Sequence, residues 1–291
     1  ARRTGGGTCS FEQQQGRCLM RLAVCAEMVF TELPFAERVR RIHEAGFDVE
    51  LWDSRNKDIA ALKASGAVFS SMTGYTSGSL VDADTADDVV RTAETLIPTA
   101  LELGVGRMVV HSAELIDGKA ARPAYRANGS MWITGARTLE RLGALGEKHG
   151  LTFCLENLNT VLDHPGIPLA RAKDTLALVE AAGHPNVKMM LDLYHAQLGE
   201  GNLIELVRTA LPHIGEIQVA DVPGRCEPGT GEINYLAVAR ALVAAGYEGT
   251  VGMEAWASGD DMEALEAFRR AFTVEAAESR NSSAFSTEVA L

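Results

Sequence analysis

The sequence holds few cysteines, and they form no pattern. Cys9, Cys18, Cys25, Cys154 and Cys226 are odd in number and widely spread. Neither a disulfide framework nor a Cys-x-x-Cys zinc site can be read from them. Reduced thiols in a cytoplasmic protein are the expectation. Cations are also in deficit, with 27 Lys and Arg against 39 Asp and Glu, a formal net charge of −12. A body this acidic repels polyanions, which argues against nucleic acid or an anionic membrane as partner. A small anionic substrate would then need a local cation, either an arginine or a bound metal. No apolar run approaches the roughly 18 residues of a membrane-crossing helix. No glycine-rich phosphate loop follows the first strand-like run, in "CAEMVFTELP", which disfavours a doubly wound dinucleotide-binding sheet.

The two ends are polar. "ARRTGGGTCSFEQQQG" carries two arginines but no apolar stretch before Leu19, so it does not read as a secretory signal. Residues 1–18 are expected to be a tail, 276–291 a second, flexible tail, and 19–275 a single domain. With 46% of 291 residues hydrophobic, there is ample material for one large core.

What fills that middle is an alternation. Short apolar runs such as "RLAVCAEMVF", "VGRMVVHSAEL", "NVKMMLDLYH" and "GTVGMEAWA" are each followed by a helix-period run. Eight such units occur between Leu22 and Val274. The helices repeatedly end in glycine, at Gly46, Gly66, Gly104, Gly150, Gly183 and Gly246, as left-handed caps require. Eight β/α units in about 250 residues is the size of a single-domain (β/α)8 TIM barrel, an α/β fold. Pro98 lies inside the longest helical run and is expected to kink it unless tertiary contacts absorb the break.

In such a barrel, chemistry sits where strands end. The last four strands end in "CLENLN", "MLDLYHAQ", "IQVADVPGR" and "GMEAWASGDD". Glu156, Asp192, Gln218 and Glu254 each close an apolar run on consecutive strands, so a closed barrel would bring them to one mouth. Three carboxylates that close repel one another strongly. A divalent cation resolves the conflict, and an all-oxygen set suits Mg²⁺ or Mn²⁺ better than Zn²⁺. Four protein ligands leave about two octahedral positions for substrate oxygens or water. His195 follows Asp192 by three residues, His111 ends the fourth strand, and Arg225 sits in the Pro- and Gly-rich loop after the seventh. Glu50 and Trp52 end the second strand and could line the same mouth, with packing the default role for Trp52. Asp221 and Gln197 are further polar residues near these strand ends.

At these residues the chain resembles the hydroxypyruvate isomerases, within the xylose isomerase-like TIM-barrel superfamily that also holds ketose 3-epimerases and endonuclease IV. "IQVADVPGRCEPGTGEINY" is the most specific match, supported by "LDLYHAQLGEGNL", "GYEGTVGMEAW" and "FTELPFAERVRRIHEAGFDVEL". The resemblance spans Leu22 to Val274. It implies a metal held by Glu156, Asp192, Gln218 and Glu254, with Glu156 and Glu254 doubling as the acid/base pair on opposed strands. It implies substrate contacts from His195 and Arg225, and an arginine there is expected to pair bidentately with a substrate carboxylate. His111 and Trp52 are carried as further substrate-binding candidates. The expected reaction is aldose–ketose isomerisation of a small hydroxy-carbonyl acid or sugar, led by hydroxypyruvate, in a protein open to homo-oligomer formation. Alternatives are a ketose 3-epimerase on the same site, an apurinic endonuclease with a His-rich multi-zinc site, and a non-catalytic sugar-binding barrel. Glu227, Glu232, Asp260 and Asp261 in the last two loops argue against a phosphosugar. The segment "MEAWASGDD" also lacks the lysine that follows the glutamate in some relatives.

Overall fold

The computed structural model describes residues 20–274, so the expected tails at 1–18 and 276–291 lie outside the described residues. In chain order, β1 (Arg21–Cys25), α1 (Phe35–Glu44), β2 (Asp48–Leu51), α2 (Ile59–Ala64), β3 (Phe69–Thr73) and α3 (Ala86–Leu103) form the first three units. The fourth unit carries an insertion. Between β4 (Arg107–Val110) and α4 (Gly129–His149) sits a small hairpin, β5 (Leu115–Ile116) and β6 (Lys119–Ala120). Then follow β7 (Thr152–Glu156), α5 (Ala172–Ala182), β8 (Val187–Asp192), a short α6 (Leu193–Gly199) and α7 (Leu203–Ala210). The chain ends with β9 (Ile214–Val219), α8 (Tyr235–Ala244), β10 (Thr250–Met253) and α9 (Asp261–Phe272).

The eight long strands close into a barrel in the order β1-β10-β9-β8-β7-β4-β3-β2. All their pairings are parallel, and the ring closes through Arg21 beside Thr250. The expected (β/α)8 barrel is therefore the fold. Its strands are buried on both faces, mostly by apolar side chains, because one face fills the barrel and the other meets the helices; Glu50, Ser71 and Glu216 are buried polar exceptions. The helices bury single stripes: α3 turns Val89, Ala93, Leu96, Ile97, Ala100 and Leu103 inward, the spacing of an amphipathic helix.

Local chemistry sets the ends. Gly104, Gly150 and Gly183 cap α3, α4 and α5 in the left-handed conformation, where a side chain would be strained. Asp58, Asn128, Asn234 and Asp260 each accept a hydrogen bond from the third backbone N–H beyond, a standard N-cap.

Two expectations change. Helix α3 runs unbroken through Pro98. Pro98 and Glu94, whose carbonyl loses its partner, both face solvent, while the buried stripe holds the helix against the barrel. The strand-like run "RLAVCAEMVF" is strand only as far as Cys25; its remainder turns across the barrel mouth. The hairpin β5–β6 turns at Asp117 and Gly118, both with positive φ. Asp-Gly is a strong signal for such a turn, but it was hidden within a fourth unit read as strand then helix. Beneath the mouth loops, Ala113, Ala120, Leu158, Ile167 and Ala170 make a small satellite core that holds this hairpin to the loop after β7.

Candidate active site

The barrel register aligns the strand-end residues. Asp192 pairs with Gln218 across β8 and β9, and Gln218 pairs with Gly252 across β9 and β10. Glu156 closes β7, and Glu254 follows β10 directly, its N–H bonded to Val219 O at 3.1 Å. All four side chains are buried. Glu156, Asp192, His195 and Glu254 offer donor atoms within 4.8 Å of one another. Strands β7 and β10 lie three places apart around the ring of eight, rather than diametrically opposed.

Asp192 is held from both sides. Its Oδ1 accepts from His195 N at 2.8 Å, capping α6. Its peptide is clamped by Asn157, which donates to Asp192 O at 2.9 Å and accepts from Asp192 N at 3.0 Å. The cap leaves the other carboxylate oxygen free to face the cluster.

Burial, and next the charge of Glu254, raise the Glu156 carboxyl well above its ordinary range. Burial and then Glu156 do the same to Asp192. His111 Nε2 lies 3.1 Å from Glu156 Oε2, and burial lowers His111 to about 4. With His111 held neutral by burial, this contact is a hydrogen bond to the imidazole rather than an ion pair. The chain continues outward: His111 Nδ1 is 3.0 Å from the Tyr75 hydroxyl, which donates to Ala113 O at 3.1 Å.

Glu254 is bonded on both oxygens. Trp52 Nε1 donates to Oε1 at 2.5 Å, and Arg225 Nη2 donates to Oε2. Trp52 is therefore no packing residue; it is 38% exposed, lines the cavity, and its indole N–H bonds Glu254. Arg225 has φ 53°, and its guanidinium lies 5.1 Å over the Tyr194 ring. Burial opposes its charge, but Glu254, Asp192, Asp163 and Glu156 hold it more firmly than usual. Its Nη2 is committed to Glu254 while its buried Nε has no partner. A bidentate grip on a substrate would require Glu254 to release Nη2.

The donor set suits a metal ion. Gln218 Oε1 is buried without a hydrogen-bond partner, an arrangement that costs about 1–3 kcal/mol if nothing answers it. Its Nε2 donates to Glu50 Oε2 at 3.4 Å, which turns the oxygen the other way. Glu50 is itself raised, first by burial and then by Glu216, whose partner is Arg107 at 3.2 Å. A hard oxygen donor beside three crowded carboxylates can accept a divalent ion.

A cavity of about 470 Å³ opens over these groups and takes in Glu156, His195, Gln218, Arg225, Glu254, His111 and Trp52. Two polar residues near the strand ends fall elsewhere. Asp221 organises the loop after β9, accepting from Val222 N, Gly229 N and Ile233 N. Gln197 bonds Glu232 at the surface. Three residues were missed. His164 and Asp163, from the loop after β7, line the cavity, and Tyr194 donates to Asp163 Oδ2 at 2.9 Å. The dense "NTVLDHPG" was the available signal, but its approach to α6 is set only by the closed barrel.

The description "Xylose isomerase-like TIM barrel" fits residues 32–274. The chain belongs to that family. A 2-oxo-tetronate isomerase of Haemophilus influenzae is 30% identical over 84% of this chain and 96% of its own length. A hydroxypyruvate isomerase of Escherichia coli is 29% identical over 81% and 93%. Among vertebrate relatives, the putative hydroxypyruvate isomerase of zebrafish is matched over 95% of its length, but those of mouse and human over 57% and 63%. These curated relatives are all isomerases by name. Among solved structures, an AP endonuclease of family 2 from Brucella melitensis superposes with a TM-score of 0.76 at 27% identity, covering 87% of this chain and 99% of that one.

Proposed function

We propose that this chain is a divalent-metal-dependent isomerase that interconverts the aldose and ketose forms of a small hydroxy-carbonyl acid. Hydroxypyruvate and 2-hydroxy-3-oxopropanoate are the leading pair. One observation carries the reading: two buried carboxyl groups from separate strands, Glu156 and Glu254, share a cavity with an unpartnered amide oxygen, Gln218. The full-length isomerase relatives support it.

Glu156, Asp192, Gln218 and Glu254 would hold Mg²⁺ or Mn²⁺. When bound, the cation would neutralise the carboxylates and polarise the substrate carbonyl as a Lewis acid. The protein supplies the proton chemistry. One glutamate removes a proton from the carbon beside the carbonyl, giving a cis-enediolate. The other returns a proton to the former carbonyl carbon, while the proton of the neighbouring hydroxyl passes to the former carbonyl oxygen so that the two oxygens exchange roles; the glutamates exchange parts in the reverse direction. Glu156, in the cavity beside His111 Nε2 at 3.1 Å, is placed to take or give the carbon-bound proton. The free Nε of Arg225 offers a charged donor to the substrate carboxylate. Trp52, Leu51 and Leu158 give the cavity apolar walls that limit water.

A cavity of about 470 Å³ lies in the range for considerably larger ligands. It has room for four or more carbons, which favours a second reading as a 2-oxo-tetronate isomerase or a ketose 3-epimerase with the same glutamates. The oxygen-rich cluster and the net charge of −12 oppose a DNA-cleaving role. The test is a Mg²⁺- or Mn²⁺-supplemented assay on hydroxypyruvate, 2-oxo-tetronate, D-tagatose and D-fructose, with Glu254→Gln alongside. Turnover of a short acid should fall about 10²–10⁴-fold in the variant. Full activity in the variant would sink the two-glutamate mechanism, and turnover of the free ketoses alone would favour the epimerase.

A further inference from the structure

We infer that Asn159 is a positioning residue that fixes His195 with its ring proton on Nε2, making His195 a hydrogen-bond donor into the cavity rather than a metal ligand. The geometry decides which way the Asn159 amide faces. Its Oδ1 accepts from Leu162 N at 2.9 Å and from Asp163 N at 3.1 Å. Its Nδ2 lies 2.6 Å from Asp163 Oδ2 and 2.7 Å from His195 Nδ1. Turning the amide over would set an NH2 group against two backbone N–H groups and an oxygen against the Asp163 carboxylate, losing three of the four bonds and keeping the fourth only with the proton moved to Nδ1. An N–H of Asn159 therefore points at His195 Nδ1. That nitrogen must present a lone pair, and a neutral imidazole with a bare Nδ1 carries its proton on Nε2.

The frame behind Asn159 is anchored. Asp163 Oδ2 also accepts from the Tyr194 hydroxyl at 2.9 Å. The His195 ring is bracketed by Tyr194 at 5.2 Å and His164 at 5.1 Å between centroids. His195 Nδ1 is 4.0 Å from Asp163 Oδ2, too far for a hydrogen bond that would compete for a proton on Nδ1. On the other side, Nε2 is buried with no hydrogen-bond partner. It lies 3.7 Å from Asp192 Oδ2 and 3.8 Å from Glu156 Oε1. A nitrogen that carries a proton has no lone pair for a metal, so His195 stands near the carboxylates without joining their set. What it offers is a fixed neutral N–H aimed at the place where a substrate oxygen would gain charge. That donor role rests on the isomerase reading above; the tautomer does not.

The experiment is ¹⁵N–¹H two-bond correlation on histidine-labelled protein, which separates bare from protonated ring nitrogens. Metal-free wild type should show His195 as the Nε2–H tautomer, and added Mg²⁺ should leave that proton in place. Asn159→Asp, which offers an oxygen to Nδ1, should move the proton to Nδ1 and lower kcat about 100-fold, with a smaller change in KM. A wild-type His195 protonated on Nδ1, or loss of the Nε2 proton on adding Mg²⁺, would overturn the inference. So would an Asn159→Asp protein that keeps both Nε2–H and full kcat. If that variant does not fold, the wild-type spectra alone decide. A wild type showing Nε2–H but turning over no hydroxy-carbonyl acid would remove the isomerase reading and leave the tautomer standing.

Discussion

At the scale of single residues, the site depends on what lies beneath it. Gln218 keeps its buried amide oxygen unpartnered while Glu50 takes its amide N–H. Glu50 can sit there only because position 252 has no side chain: a Cβ on Gly252 would overlap the Glu50 carboxyl group. Gly252→Ala should therefore displace a buried acid, costing about 1–3 kcal/mol as overpacking. For a domain of this size that lowers Tm by very roughly 2–4 °C for each kcal/mol. Thermal unfolding measures it, and an unchanged Tm would mean that Glu50 moves aside freely and does not hold Gln218. The sequence presented Gly252 as one more glycine before Glu254. Its meaning appears only when β2 and β10, far apart in the chain, both pair with β1.

At the scale of elements, α3 shows how packing overrides propensity. Pro98 lies on its outer face, and the helix continues because Leu96, Ile97 and Ala100 bury the inner one. Pro98→Ala should restore the missing hydrogen bond. The gain of about 3 kcal/mol in helix propensity, less about 1 kcal/mol for the looser unfolded chain, leaves a net stabilisation of about 2 kcal/mol. Urea unfolding should show a higher midpoint at unchanged slope, and a lower midpoint would show that α3 needs its proline. The same contrast separates what was legible in the sequence from what was not. Eight apolar runs with helices between them fix the barrel by counting, and Glu156, Asp192, Gln218 and Glu254 stand out because each ends such a run. Helix α6 and the β5–β6 hairpin were hidden, being too short to show a period. Asn159, Asp163 and His164 were hidden because a loop after one strand meets a helix after the next, and nothing local records that meeting.

At the scale of the whole molecule, the buried titratable groups pull stability in opposite directions. His111 is lowered to about 4 in the folded chain, against about 6.5 unfolded. Between these values the unfolded chain binds a proton that the folded chain refuses, so stability falls as pH drops from 6.5 to 4. The full contribution is about 3 kcal/mol. Glu156 and Asp192 are raised, so the folded chain keeps protons that the unfolded chain has already released. Their contribution is present below the unfolded values of about 4 and is lost as pH rises through the folded ones. A divalent ion reverses that second trend, because it binds the carboxylates only after they release their protons. The rise in Tm produced by Mg²⁺ or Mn²⁺ over a chelator control should therefore be larger at pH 8 than at pH 5.5. Glu156→Gln should reduce both the increment and its growth with pH. Differential scanning calorimetry at the two pH values checks this, and an increment that is constant or shrinks with pH would count against ligation by these carboxylates.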